Sequence, residues 1–184
     1  KVYGGMEGAQ IIEQGGPYGP ADLPHGVPET WPLDIPGVPV GSARTYLTDQ
    51  SYADERGLKV FNLCKSHRYQ ALGYYVSLLA EARGHKPLPS VTTIQDLKSL
   101  TMIRFAAEDL EDVIKPSLSH IQSTSFTLSV YFGQNMAKRY DRLCKALFNL
   151  FPTPLLRVQF NFEDGRWHLE SLEAVSAAEI PDLR

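Results

Sequence analysis

A polar run between two apolar segments is the part of this sequence best suited to bind a ligand. It places an arginine and several other hydrogen-bonding groups in five consecutive positions, which are Ser66, His67, Arg68, Tyr69 and Gln70. A guanidinium and donors beside a helix N-terminus suit a carboxylate or a phosphate. A second interpretation is equally open, in which these residues dock a neighbouring domain or cap the end of a sheet.

The segments on either side predict a strand and a helix that position this run. Residues 60–64 form a short apolar stretch, typical of a strand covered on both faces of its sheet. The helix is indicated by apolar side chains at i, i+3, i+4 and i+7, with Ser66 as its N-cap and Gly84 as its stop. Its expected inner face is Leu72, Tyr75, Val76, Leu79 and Ala82. Ligands of open α/β sheets usually bind at such strand ends.

A second strand-end loop is also rich in donors. It follows the alternating stretch 125–132, and its candidate binding residues are Tyr131, Gln134, Asn135 and Arg139. If the two strands are neighbours in one sheet, the two loops face a single crevice.

Cys64 and His67 invite a different hypothesis, a thiol nucleophile beside its base. The sequence identifies no orienting third group, so a buried strand-end thiol is the favoured interpretation. Cys144 falls on the apolar face of a later helix and is expected in the core. The five histidines lack the spacing of a metal site, and we expect no catalytic residue and no metal ligand in this chain.

Composition indicates an ordinary globular chain. It has 184 residues, a net charge of −3 and 43% hydrophobic residues, so nothing favours nucleic acid or an anionic membrane as a partner. No apolar run has the length of a membrane span. The two cysteines are far apart, and reduced thiols in a cytoplasmic protein are the simplest interpretation.

Residues 1–41 differ from the rest because they hold nine of the 14 glycines and seven of the 13 prolines. Regular structure is not expected there, and the segment is interpreted as an arm or linker. The glycines at 15, 16 and 19 do not predict a phosphate loop, since no strand is expected before them and no lysine completes them. Residues 42–184 are predicted to form one α/β domain.

Within that domain, the expected order is β-α-β-α-β-α-β-β. Residues 38–40 lead into residues 43–47, and together they are interpreted as a short edge strand and turn. Residues 86–91 are interpreted as another edge strand. Thr93 is expected to cap a segment leading to a helix over 102–115. The alternating strand over 125–132 has an expected apolar face of Phe126, Leu128, Val130 and Phe132. A further helix is expected over 135–151, with an inner face of Tyr140, Leu143, Cys144, Leu147 and Phe151. A terminal hairpin turns at Asp164-Gly165. The fold class is therefore α/β, three-layered and Rossmann-like, with a short mixed sheet and a C-terminal β-hairpin.

Two long runs resemble a known family. They are VFNLCKSHRYQALGYYVSLLAEARGHKPLPSVTTIQDLKSL and FTLSVYFGQNMAKRYDRLCKALFNLFPTPLLRVQF, preceded by WPLDIPGVPVGSARTYLTD. The chain is similar over residues 31–181 to the RLAN family, the N-terminal domain that precedes a RimK-like ATP-grasp module. The resemblance implies a fold like the pre-ATP-grasp domains of related enzymes.

RimK-like ligases join a carboxylate, activated by ATP and Mg²⁺ as an acylphosphate, to an amine. The resemblance implies that ATP and magnesium bind the ATP-grasp module of the same polypeptide, and none of that module is expected within these 184 residues. It therefore implies a non-catalytic accessory domain for substrate binding, with an amino acid or peptide as substrate, or for domain closure. An interaction domain without a small-molecule ligand is the alternative.

Overall fold

The computed structural model describes residues 9–13 and 38–176, which fall into two compact units. Of the described residues, the first unit contains 9–13, 38–91 and 176, and the second contains 92–175. The parallel strands form one sheet and the antiparallel strands form another, whereas a single mixed sheet was expected. The α/β class and the terminal hairpin are confirmed. The prediction of one domain over residues 42–184 stays a prediction.

The first unit contains a parallel four-stranded sheet in the order β2-β1-β3-β4. Its elements are β1 (Ala9–Glu13), β2 (Val40–Ser42), α1 (Ala43–Thr48), α2 (Ser51–Asp54), β3 (Lys59–Asn62), α3 (Leu72–Ala82) and β4 (Lys86–Leu88). Val60 of β3 packs with Tyr46 of α1 and Val76 of α3 in one buried cluster. Helices α1 and α3 thus cover one face of the sheet at β3, as is usual for parallel strands.

The second unit contains an antiparallel sheet in the order β5-β6-β7. Its elements are α4 (Val91–Asp96), α5 (Leu100–Asp109), α6 (Glu111–Leu118), β5 (Ser125–Tyr131), a 3-10 turn (Lys138–Tyr140), α7 (Asp141–Leu150), β6 (Leu155–Glu163) and β7 (Arg166–Ala174). The expected inner face of α7 is confirmed, with Leu143, Cys144 and Leu147 fully buried. The hairpin is also confirmed, since Asp164 and Gly165 both have positive φ angles, as a two-residue primed turn requires.

No regular structure was expected in residues 1–41, and this prediction is wrong because β1 lies there. This strand lies between β2 and β3 and pairs with both, so a strand does end shortly before Gly15. The strand has only five residues and lies among glycines in the sequence, and pairing with two distant strands stabilises it. The glycines at 15, 16 and 19 lie outside the described residues.

Several helix ends also differ from expectation. Residues 43–48 form α1 rather than a strand, because Ser42 Oγ accepts a hydrogen bond from the amide of Thr45 at 3.0 Å and caps a helix. Thr93 is buried inside α4 instead of capping it. The helix expected over 102–115 is divided at Leu110, and α7 begins only at Asp141. Both edge positions, β2 and β4, are confirmed.

The buried face of α3 is rotated from the expected one. Gly73, Val76, Ser77 and Ala80 are buried, whereas Leu72 and Tyr75 are 38% and 41% exposed. Small side chains allow the helix to lie close to the sheet, and larger ones at those positions would hold it away. Apolar periodicity counts only large side chains and therefore missed this face.

Candidate functional site

The β3–α3 loop, residues 63–71, leaves the sheet at its topological switch point. β1 and β3 are neighbours, but β1 leads to β2 on one side while β3 leads to β4 on the other. Leu63 still donates its amide to Ile12 O of β1 at 2.8 Å, so the loop diverges directly beside the end of β1. Open parallel sheets bind ligands in the crevice where neighbouring connections part in this way.

The loop presents some of its predicted residues outward and turns another inward. Arg68, Tyr69 and Gln70 are exposed, with Tyr69 at 71%, and Ser66 is partly buried. His67 is only 9% exposed, and its Nε2 lies 3.3 Å from Asn62 O. The structure therefore brings three of the five predicted side chains to the surface together, and His67 serves the fold of the loop.

The backbone of the loop ends in a tight turn. Ala71 donates its amide to Arg68 O at 2.9 Å, and Gln70 has a φ of 68°. Ser66 does not cap α3, which begins at Leu72; its Oγ accepts instead from the Arg68 amide at 3.3 Å. The side chains at 68–70 are thus carried on a hydrogen-bonded turn immediately before the helix.

Exposed apolar and aromatic side chains continue from the loop along α3. The ring of Tyr69 lies edge-on to Tyr74 at 5.5 Å between centroids, and Tyr74 lies edge-on to Tyr75 at 5.8 Å. Leu72 and Leu78 are also exposed on this helix. The surface beside the candidate site is therefore partly apolar, as expected of a docking surface.

Two residues that sequence analysis missed shape the loop. Asn62 ends β3 and is 1% exposed, and its side chain contacts both the loop and α3. Gly73 lies in the first turn of α3, where an added Cβ would fall 2.5 Å from Ser66 O. Their signals were a lone asparagine in an apolar strand and a glycine inside a helix, since both need a structural reason there.

The β5–α7 loop, residues 132–140, lies in the second unit. β5 belongs to the antiparallel sheet and is not a neighbour of β3, so the condition for a shared crevice is not met. Asn135 is used internally: its Nδ2 donates to Ser129 O at 2.6 Å, and its Oδ1 accepts from the Ala137 amide at 2.9 Å. Asn135 thus fixes the loop backbone.

The other predicted residues of this loop divide between a turn and the surface. Tyr131 and Gln134 exchange backbone hydrogen bonds at 2.7 and 2.9 Å. Arg139 is exposed, with its guanidinium 5.8 Å from the centre of the Tyr140 ring. Of the four predicted residues of this loop, Arg139 is therefore the one whose side chain is exposed.

Both cysteines are fully buried and not in disulfides. A nucleophile must reach its substrate, so the burial of Cys64 argues against the thiol-enzyme hypothesis. Burial raises the pKa of the Cys144 thiol to about 12, with the Asp141 charge adding to the effect. Such a thiol stays protonated at neutral pH and acts as a core side chain.

We expect stability to fall at alkaline pH. Burial raises the pKa of Cys144 from 9.0 and of Tyr46 from 10.0, both to about 12. The folded state holds these protons to higher pH than the unfolded chain does. Their contribution is therefore complete below pH 9 and is lost between pH 9 and about 12, at up to about 1.4 kcal/mol per pH unit for each group.

Urea unfolding at pH 8, 9, 10 and 11 checks this expectation, with Cys144→Ala as the comparison. The variant removes the Cys144 thiol, so its loss of stability between pH 9 and 10 should be smaller than that of the parent. Equal pH dependence in the variant and the parent between pH 9 and 10 would contradict the role of Cys144.

The described residues contain neither a cluster of metal-binding side chains nor a membrane-spanning helix. Within residues 9–13 and 38–176, no three His, Cys, Asp or Glu side chains come together as a metal site. No helix in the same part of the chain is long and apolar enough to cross a membrane.

Together these features define an α/β domain with a loop at the switch point of a parallel sheet. The family model described as the RimK-like ATP-grasp N-terminal domain, RLAN, matches residues 43–184. The chain belongs to this family. No curated protein matches the sequence.

Family membership implies ATP and an associated ATP-grasp module. Within residues 9–13 and 38–176, no three acidic, histidine or cysteine side chains converge, so this part of the chain holds no all-protein ligand set for magnesium. The exposed side chains of the β3–α3 loop, Arg68, Tyr69 and Gln70, suit contact with a polar or anionic group.

Proposed function

We propose that this chain is a non-catalytic accessory domain of a RimK-like ATP-grasp carboxylate–amine ligase. The domain contributes to substrate binding or to domain closure, and ATP and Mg²⁺ act in the ATP-grasp module of the same polypeptide. The single observation that carries the proposal is the position of the β3–α3 loop at the β1/β3 switch point. Crevices at such points bind ligands across many unrelated α/β proteins.

The side chains of the loop suggest the kind of ligand. Arg68 is exposed and has no acidic neighbour in residues 63–71, so its guanidinium is suited to a carboxylate or a phosphate. Tyr69 and Gln70 add hydrogen-bonding groups, and Ser66 lies partly buried beside them. An amino acid or peptide substrate of a carboxylate–amine ligase carries such a carboxylate.

ADP release from ATP and Mg²⁺ in the presence of amino acids tests the proposal. The complete gene product is measured beside the 184-residue chain. Release by the complete product alone is the expected result, because the accessory domain lacks the catalytic module. Turnover by the 184-residue chain alone would contradict the proposal, and no release by either favours the interaction domain described below.

Arg68→Ala is expected to raise the amino-acid concentration for half-maximal ADP release about 10- to 100-fold in the complete product. A hydrogen bond to a charged group contributes about 1.5 to 3 kcal/mol, which corresponds to that range. Arg139→Ala tests the second loop in the same assay. Arg166→Ala, an exposed arginine at the hairpin turn, is the charge-matched control and should behave as the parent. An unchanged response in both Arg68→Ala and Arg139→Ala would count against ligand binding by these loops.

A protein-interaction domain without a small-molecule ligand is the second candidate function. The observation that favours it is the exposed apolar surface of Tyr69, Leu72, Tyr75 and Leu78, since apolar patches mark contact surfaces. Leu72→Ser and Leu78→Ser separate the two functions. Loss of partner binding with an unchanged amino-acid response in the ADP assay would favour interaction alone.

A further inference from the structure

One side chain holds the β3–α3 loop at its beginning and its end. Asn62 Oδ1 accepts a hydrogen bond from the Cys64 amide at 3.3 Å, at the start of the loop. Asn62 Nδ2 donates to Gly73 O at 2.7 Å, in the first turn of α3. The backbone oxygen of Asn62 lies 3.3 Å from His67 Nε2, near the middle of the loop. Asn62 therefore contacts the start of the loop, its middle and the first turn of α3.

A second set of contacts anchors Asn62 itself. Its Nδ2 also donates to Ser77 Oγ at 2.9 Å, and Ser77 donates in turn to Pro89 O at 2.7 Å. Asn62 and Ser77 are both essentially inaccessible to solvent. Buried hydrogen bonds of this kind are costly to break without replacement. The chain Asn62–Ser77–Pro89 thus fixes the side-chain amide relative to α3 and to the segment after β4.

Close packing restricts the loop on its inner side. A Cβ at Gly73 would lie 2.5 Å from Ser66 O and 2.8 Å from Cys64 Cβ. The loop backbone therefore rests directly on the backbone of the first helical turn. Together with the Arg68–Ala71 hydrogen bond, these contacts leave the exposed side chains at 68–70 on a fixed support.

We propose that Asn62 is a positioning residue, which holds the β3–α3 loop in one shape before any ligand binds. The loop is then preformed, and ligand binding does not have to order it. The inference that Asn62 orders the loop does not depend on the proposed function. The expected effect of that ordering on ligand affinity does rest on the proposed function.

Amide hydrogen exchange of the complete protein, without ligand, tests the order of the loop. In the parent, the amides of Cys64 and Ala71 should exchange slowly, because each donates a hydrogen bond within the structure. Exchange of both at the rate of an unstructured peptide would overturn the proposal. This measurement needs no variant and holds even if substitutions at Asn62 prevent folding.

The variant Asn62→Ala should speed exchange of the amides in residues 64–71 about 10-fold or more, with those of β6 unchanged. Ser77→Ala is the matched control, because it removes one partner of Asn62 and leaves the contacts to Cys64 and Gly73. Its loop amides should be accelerated less than those of Asn62→Ala, because it loses one anchor of Asn62 but keeps the two side-chain hydrogen bonds to Cys64 and Gly73. Equal acceleration in both variants would mean that Asn62 acts only through helix packing, which would overturn the proposal.

The ligand part is measured by ADP release with an equimolar mixture of the twenty amino acids as probe. Asn62→Ala should raise the concentration for half-maximal release at least about 5-fold while the maximal rate stays within about 2-fold of the parent. Faster amide exchange in the loop without a change in the half-maximal concentration would support Asn62 as the residue that orders the loop. It would overturn the inferred role of Asn62 in ligand affinity. The failure of the positioning inference and the failure of the proposed function are thereby distinguished.

Discussion

Replacing Gly73 by alanine is expected to lower the free energy of unfolding by about 1 to 3 kcal/mol, the usual range for overpacking a close contact. The new Cβ would lie 2.5 Å from Ser66 O and 2.8 Å from Cys64 Cβ. Neither atom is the end of a flexible side chain, so the β3–α3 loop must move as a whole. The higher helix propensity of alanine offsets about 1 kcal/mol at most. Urea unfolding followed by circular dichroism measures the net loss.

Gly57→Ala is the control for this substitution. Gly57 has a φ of 66° and nothing within 4 Å of an added Cβ, so alanine there costs about 1 to 2 kcal/mol through backbone conformation alone. NMR amide shifts separate the two causes. Gly73→Ala should shift the amides of residues 64–67, whereas Gly57→Ala should leave them in place. Unshifted loop amides in Gly73→Ala would show that the helix and loop are not in close contact.

Removing the Tyr46 side chain is expected to have the largest effect on the first unit. Tyr46 is fully buried, its ring lies under the Arg83 guanidinium at 5.1 Å, and its hydroxyl lies 2.6 Å from His85 Nδ1. His85 is itself buried and has its Nε2 3.3 Å from Glu55 O. Tyr46→Ala should therefore cost about 3 to 5 kcal/mol, as other large aromatic truncations do.

Tyr46→Phe divides that loss between the ring and the hydroxyl. It keeps the ring in place but leaves a buried nitrogen of His85 without this partner, at a cost of about 1 to 3 kcal/mol. Tyr75→Phe is the matched control, since Tyr75 is 41% exposed and surface changes usually stay within about 0.5 kcal/mol. Equal stability of Tyr46→Phe and the parent in urea would show that the Tyr46–His85 hydrogen bond adds nothing.

The parts of the fold that local physics decides were predicted from the sequence. The alternation of β5 and the 3.6-residue spacing of α7 each gave the correct buried side chains, Leu128 and Val130 in one case and Leu143 and Leu147 in the other. The Asp164-Gly165 turn followed from the positive φ angles that these residue types tolerate. The terminal hairpin and the α/β class could therefore be predicted from the sequence alone.

The candidate site was predicted only in outline. The polar run before α3 identified the loop, since the strand and helix on either side have clear apolar patterns. Tertiary structure decided which side chains face outward: Arg68 and Tyr69 are exposed while His67 is buried. It also placed β3 and β5 in different sheets, so the strands that precede the two loops are not neighbours.

The remaining decisions depend on contacts between residues far apart in the chain. β1 is a central strand because β2 and β3 supply its hydrogen bonds, and its five residues carry too weak a pattern to reveal that. The small-residue face of α3 and the role of Asn62 follow from how closely the helix approaches β3. The sequence by itself determined the class of fold, the hairpin and the location of the loop. The strand order, the buried face of α3 and the support of the loop were decided by tertiary structure, because strand pairing and close packing join residues that no local pattern relates.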